Sequence, residues 1–283
     1  MTQQLLINSN NQNQYLADCQ QCFGLCCVAL PYAKSADFAF DKDSGSPCKN
    51  LQADYRCGIH QKLRSSGLRG CTVYECFGAG QKVSQMTYNG KSWRDNPELA
   101  KEMFDLLPIM QQLHEMLYYL TESLSLQDAK PIYAEVQKAI VETERLTNLN
   151  TLTLLELHVP THRAFVNDLL LQTSELVRAK VKIGTHNSKH SKNIRGRDCI
   201  GAKLKGANLK GSNLRGVLFI AADLRQADMR KADLIGADLR DADLSGANLI
   251  GSIFLTQAQV NSANGNSETQ LPSALTIPDH WLD

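Results

Sequence analysis

The chain has 283 residues, with 30 Lys and Arg against 29 Asp and Glu, for a formal net charge of +1. That length suits two or three small domains, and the charge balance excludes a broad field for holding nucleic acid or an anionic membrane surface. No run approaches the roughly 18 consecutive apolar residues of a spanning helix.

The first residues, MTQQLLINSNNQNQYL, lack the basic and apolar regions of a signal peptide. The expectation is a soluble cytoplasmic protein. In that compartment thiols stay reduced, so dense cysteine points to metal or catalysis before disulfides. Eight of the nine cysteines lie between Cys19 and Cys76, in a region rich in glycine and turns. Residues 1–92 are therefore read as one cysteine-rich metal-binding module.

Its candidate ligands are Cys19, Cys22, Cys26, Cys27, Cys48, Cys57, His60, Cys71 and Cys76. They run as C-x2-C-x3-C-C, then C-x8-C-x2-H, then C-x4-C. A C-x2-C turn aims both sulfurs at one ion, and Cys57 with His60 has the same reach through an imidazole. Soft thiolates suit Zn2+ or an Fe-S cluster. Adjacent Cys26 and Cys27 point apart, so they serve different ions, or one ligates while the other packs. Eight thiols and one histidine can fill two four-coordinate sites, or one cubane and one mononuclear site. A disulfide framework, or buried free thiols without metal, would use the same residues. The segment CFGAGQKVSQ, 76–85, is not a nucleotide fingerprint and reads as the loop leaving the last ligand. A catalytic cysteine paired with His60 is a further reading, although a separation of three fits co-ligation better.

Residues 95–183 read as an α-helical domain. Asn96-Pro97-Glu98 is a helix start. Leu99, Met103, Leu106, Met110, Leu113, Leu117, Leu120 and Leu124 follow at alternating spacings of four and three, a heptad stripe. Pro108 should kink or divide that helix. Further helices are expected over 131–149 and 161–182. The stripe serves an intramolecular bundle or the seam of a homodimer. His114-Glu115 lacks the second histidine of a zincin motif. Residues 184–196 are a polar linker in which His186 and His190 stand four apart.

From residue 197 the period is five, held for twelve units: RDCIG AKLKG ANLKG SNLRG VLFIA ADLRQ ADMRK ADLIG ADLRD ADLSG ANLIG SIFLT. Each unit has a large apolar centre, from Cys199 through Leu204 to Phe254, and usually a small residue two positions earlier. Neither a helix nor a strand has this period. If each unit is one side of a four-sided coil, centre and small residue point inward and residues twenty apart stack about 4.8 Å apart. One outer face then carries Ile200, Leu218, Ile220 and Arg240, and another Arg215, Ile235, Ile253 and Leu255. These apolar columns are expected to dock the helical region. The tail, 257–283, offers Val260, Leu271, Leu275, Ile277 and Trp281 as a cap for the coil's open end.

The A(D/N)LxX units resemble the pentapeptide-repeat family, whose repeats form a right-handed quadrilateral β-helix. The stretch CQQCFGLCC resembles the bacterial CxxCxxCC family of zinc- or iron-chelating proteins, which includes a flagellin lysine methylase, with one extra residue before Cys26-Cys27. GLCCVALPY, SADFAF, CGIH, CTVYECFGAGQ and the closing LTQAQ resemble a group of bacterial pentapeptide-repeat proteins along nearly the whole chain. The expected fold class is thus multi-domain: a cysteine-rich metal module (1–92), an α-helical bundle (95–183), a right-handed quadrilateral β-helix, the pentapeptide-repeat solenoid (197–256), and a C-terminal cap (257–283).

The function expected is a non-enzymatic, metal-containing interaction or scaffold protein, responsive to redox state or metal, with the solenoid as binding face. Its protein partner is not specified by the sequence. Nucleic acid and membrane are not expected as partners, and a homodimer would form through the 99–124 stripe or the solenoid end. Two alternatives stand beside it. One is a metal-dependent redox or group-transfer enzyme. The other is a topoisomerase (gyrase)-interacting repeat protein, against which residues 197–256 set nine Lys and Arg and seven Asp, no acidic rod.

Overall fold

The computed structural model describes residues 12–182 and 197–282. His186 and His190 lie outside them. The chain divides into two compact units, Met1–Leu170 and Leu171–Asp283. Among the described residues, no helix is long and apolar enough to cross a membrane.

The first unit begins with short elements: α1 (Leu25–Ala29), α2 (Arg69–Thr72) and α3 (Ala79–Gln81), which runs on into a π-turn, Lys82–Thr87. Longer helices follow: α4 (Pro97–Ser125), α5 (Tyr133–Thr147), α6 (Thr151–Leu155) and α7 (Val159–Lys182), whose residues from Leu171 on belong to the second unit. Pro97 opens α4 where its missing N–H costs nothing. Pro108 lies inside α4 without dividing it. The stripe Met103, Leu106, Met110, Leu113, Leu117 and Leu120 is at most 2% exposed. Val136, Ala139 and Ile140 of α5 are buried as well, so the stripe is taken up within the chain and is not a free seam for a second copy. A side-chain cap, Asn150 Oδ1 accepting from Thr153 N–H at 3.0 Å, starts α6.

The second unit holds the repeat, and here the expected fold class is corrected. Among the described residues the regular elements are helices, with no β-strand and no sheet, so residues 197–256 are not the right-handed quadrilateral β-helix expected from the resemblance. What joins successive coils is a set of isolated parallel bridges twenty residues apart, such as Asp198↔Leu218, Asn213↔Asp233 and Asp233↔Ile253. The reason lies in the corners. Every unit but the last has a left-handed residue two positions past its centre, usually glycine, as at Gly216 (φ 62), but Ala221 (φ 54) and Lys231 (φ 54) do the same. A left-handed residue every five breaks extended backbone before two neighbouring bridges can form a ladder. Where Asn or Asp precedes the centre, as in most units, it accepts from the backbone N–H two residues on, as Asp233 Oδ1 does from Ile235 at 3.0 Å, an Asx turn that fixes the corner.

The inward pattern makes the core. Leu214, Phe219, Leu224, Met229, Leu234, Leu244 and Leu249 are fully buried, with Ala227, Ala232, Ala242 and Ala247 beside them. Cys199 and Leu204, at the open end, are partly buried against the same cluster. At the other end α8 (Gln257–Ser262) starts with a capping box between Thr256 and Gln259. Gln259 Nε2 donates to the carbonyls of Leu234 and Ala237, both at 2.9 Å. Val260 and Trp281 join the repeat's core, with Leu271, Leu275 and Ile277 packed against it. The two outer faces differ. Ile253, Leu255 and Arg215 are buried, whereas Ile200 and Leu218 are exposed. Val181 of α7 closes on Gly211, at the corner before the buried face, leaving no room for a Cβ there.

Candidate metal centre

Four chain segments carry the eight thiols, and backbone contacts bring them together. Gly24, in the left-handed region (φ 64), turns the chain into α1, which holds Cys26 and Cys27. A Cβ on Gly24 would lie 2.7 Å from Leu51 Cδ1 and 3.0 Å from the Tyr55 carbonyl, so this approach requires glycine. Cys48 N–H donates to the Cys27 carbonyl at 2.9 Å. Leu51 forms an antiparallel bridge with Cys57, and the Tyr32 hydroxyl reaches Cys48 Sγ at 3.6 Å. Tyr32 stacks on Phe38, ring centres 4.2 Å apart, and Phe38 closes on Gly70, next to Cys71 in α2.

A second gathering forms over α3. Cys22 and Cys76 both approach Gly80, where a Cβ would stand 2.7 Å from Cys22 Sγ and 3.9 Å from Cys76 Sγ. The segment 76–85, taken from sequence as a departing loop, instead holds the first cysteine loop in place. Gln81 Oε1 accepts from Asp18 N–H at 3.0 Å, and Gln81 Nε2 donates to Leu16 O at 2.9 Å. Ser84 Oγ accepts from Phe23 N–H at 3.0 Å, and Gln85 Nε2 donates to Gln21 O at 2.8 Å.

The thiols are also electrostatic neighbours of one another, with Cys27 next to thiols of both gatherings. Cys22 is repelled by Cys76, and Cys26 by Cys22 and Cys76 besides its sulfur neighbour Cys27. Cys19 is repelled first by Cys76 and then by Cys27. Cys57 is repelled by Cys27 and Cys48, and Cys71 by Cys27, Cys48 and Cys57. Two tyrosines mark the groups from outside: Tyr74 faces Cys26, Cys76 and Cys22, and Tyr32 faces Cys48, Cys71 and Cys27.

Burial, then this crowding, pushes Cys22 and Cys71 up to about 11. Burial also raises Cys19, Cys57 and Cys76. The hydrogen bond between the adjacent sulfurs raises Cys26 and lowers Cys27. Crowded, partly buried thiols of this kind stay neutral until a cation offsets their charge.

Lys42, which the sequence reading passed over, is the nearby cation. It is 7% exposed, and its Nζ donates to the carbonyls of Val28, Asp43 and Ser46 at 3.0–3.1 Å. Burial lowers its pKa, and the thiols of Cys48, Cys27 and Cys26 raise it. Nothing in DKDSG signals this role, because it arises from the fold of the loop over α1.

Nine cysteines are free, with Cys19 and Cys71 exposed and the rest half-buried. His60 is exposed on a 3-10 turn, His60–Lys62. Among the described residues, no three His, Cys, Asp or Glu side chains are closed on one point as a formed ion site. In donor chemistry the sets fit a thiophilic metal, since sulfur donors come from separate segments and a buried ammonium stands beside them.

Nearby is a cavity of about 550 Å³ whose lining includes Tyr15, Gln81, Lys82, His114, Leu117 and Glu144. His114 Nδ1–H donates to the Phe77 carbonyl at 2.8 Å, and Lys82 donates to Asn148 at 2.7 Å.

Comparison with known proteins gives three findings. Residues 198–234 and 218–254 match the family described as Pentapeptide repeats, in eight copies. The uncharacterized protein YybG of Bacillus subtilis (strain 168) is 66% identical over 281 residues, covering 99% of this chain and 100% of that one. A crystal structure of a pentapeptide repeat protein from the Arabidopsis thaliana thylakoid lumen is 27% identical, covering 33% of this chain and 68% of the other, with a TM-score of 0.16.

Proposed function

Since the chain belongs to the pentapeptide-repeat proteins, in one family with YybG of Bacillus subtilis (strain 168), we propose that it is a cytoplasmic, non-enzymatic interaction protein that carries a thiolate-held metal. The observation supporting this is that backbone contacts draw the segments bearing Cys27, Cys48 and Cys57 together, and that Cys22 and Cys76 both approach Gly80. Bound there, zinc would supply a rigid cross-link, and an iron–sulfur centre would add redox response. The chain's own residues position the donors. Gly24 and Gly80 allow close approach, Gln81, Ser84 and Gln85 hold residues 16–23, and Lys42 offsets negative charge.

The repeat supplies a stiff surface for a protein partner, with Ile200 and Leu218 exposed on one face. Its carboxylates are matched by arginines: Asp223 with Arg225, Asp228 with Arg230, Asp238 with Arg240. That pairing gives no support to a topoisomerase-binding acidic surface.

The test is metal removal. Anaerobically prepared protein treated with a strong chelator should lose thermal stability in its first unit, and its thiols between Cys19 and Cys76 should become quickly alkylated. An unchanged melting curve and unchanged thiol reactivity would overturn the proposal.

A further inference from the structure

We infer that the cavity lined by the π-turn, α4 and the end of α5 is a binding site for a small zwitterion, an α-amino acid with an apolar side chain. The site lies within the first unit. It goes beyond the metal-holding reading and does not depend on it.

The cavity holds about 550 Å³, inside the range of about 300–1,000 Å³ typical of small-molecule sites. Tyr15, His114, Leu117 and Thr147 on its lining are buried, whereas Gln85, Met86 and Asn148 are exposed. It thus has a floor shut off from water and an open rim.

Two opposite charges line it without pairing. Lys82 Nζ donates to Asn148 Oδ1 at 2.7 Å, and the Tyr15 hydroxyl is hydrogen-bonded to the Glu144 carboxyl. Among the described residues neither Lys82 nor Glu144 closes a direct ion pair. Burial works against both charges, lowering the pKa of Lys82 and raising that of Glu144, and each only partly offsets the other's loss of water. A ligand carboxylate on Lys82 and a ligand ammonium on Glu144 would supply both missing partners through charge-assisted hydrogen bonds. An ion of one sign would supply only one.

His114 fixes which end goes where. Its Nδ1 stands 2.8 Å from the Phe77 carbonyl, which only accepts, so Nδ1 carries the proton. Burial keeps the ring neutral, and Nε2 is left with a bare lone pair. Among the described residues nothing donates to it. The Tyr15 ring meets the imidazole edge-on, centres 5.8 Å apart, and holds it in place. A carboxylate has no donor for Nε2, whereas an ammonium has three and serves Glu144 and His114 together. The ammonium therefore belongs beside His114, with the carboxylate towards Lys82. Leu117 in the floor and the flexible thioether of Met86 at the rim leave an apolar surface for the side chain.

Equilibrium dialysis of the full chain measures binding of L-leucine, L-methionine and L-phenylalanine, each beside its carboxamide and its deaminated acid. The expected result is saturable binding of at least one amino acid, with its amide and its deaminated acid each weaker by about tenfold or more. Lys82→Met should weaken the amino acid and abolish its advantage over the amide. Glu144→Gln should weaken it and abolish its advantage over the deaminated acid. No saturable binding of any of the amino acids at about 10 mM, equal binding of all three forms, or unchanged binding in both variants would overturn the inference. Should a variant not fold, the comparison of the three forms on the unaltered chain decides.

Discussion

The Arg215 guanidinium meets the Asp233 carboxylate at 3.1 Å, Nη1 to Oδ2, where Arg215 is 7% exposed and Asp233 is fully shut off from water. Both sit on the outer face that is otherwise apolar, between Ile235, Ile253 and Leu255. Breaking such a pair leaves a buried charge, which costs about 3–5 kcal/mol. Arg215→Met should therefore lower stability by about 3 kcal/mol in urea unfolding. Arg215→Met/Asp233→Asn should recover much of that, because Asn still accepts from Ile235 N–H. Equal losses in the single and double variants would show that the charge is not what the arginine offsets.

The repeat's corners give a prediction with opposite signs. Gly216 is left-handed (φ 62) with open space around its Cβ position, and Ala221 (φ 54) adopts the same conformation with a side chain. Left-handed backbone costs a non-glycine residue about 1–2 kcal/mol, partly offset by glycine's unfolded-state entropy of about 0.4–1 kcal/mol. Gly216→Ala should cost about 1 kcal/mol without any clash, and Ala221→Gly should be stabilising or neutral, as read from the denaturant midpoint.

A histidine makes the first unit sensitive to pH. His114 is 7% exposed, and burial lowers its pKa to about 4 while its N–H bond to Phe77 O opposes the shift and Lys82 adds to it. The unfolded chain takes up a proton near pH 6.5 and the folded chain does not, so stability is full above that value and falls as pH drops towards 4. Between pH 7.5 and 5 the loss is about 2 kcal/mol. His114→Gln, which keeps a donor for Phe77, should show a smaller fall by about that amount. Since acid also strips metal from thiolates, the comparison is between the two proteins at each pH, and parallel curves would refute it.

Gly80→Ala and Lys42→Met probe the surroundings of the thiols. A Cβ on Gly80 would stand 2.7 Å from Cys22 Sγ, so Cys22 must shift and metal should be lost earlier on titration with a competing chelator. Lys42→Met removes a buried ammonium near Cys48, Cys27 and Cys26. Outer partners of this kind are worth about 10–100-fold in metal affinity, so this variant too should release metal earlier. Identical chelator curves for both variants and the unaltered chain would count against the roles assigned.

How much of this was legible follows from the range of the interactions. The four-three spacing from Met103 to Leu120 and the five-residue period from Leu209 to Leu249 are local signals, and both segments bury the residues the spacing selects. Pro108 does not divide the helix, since α4 continues through it. The resemblance to a β-helix failed at the level of the hydrogen-bond pattern, because left-handed corners such as Gly216 and Ala221 leave single bridges and no strands. The candidate cysteines could be collected from spacing, but their neighbours could not. Cys76 faces Cys22, and Cys48 faces Cys27, only because 76–85 and the loop around Lys42 fold back over α1. Gln81, Ser84, Gln85 and Lys42 carry no motif.

The central claim is that the thiols between Cys19 and Cys76 hold metal, and its most direct measurement is elemental analysis, with an absorbance spectrum, of the full chain purified without oxygen. The account predicts bound metal in proportion to chain: colourless protein with zinc, or brown protein with iron and sulfide absorbing near about 400 nm. Metal-free protein in which all eight thiols are free or joined as disulfides would contradict it.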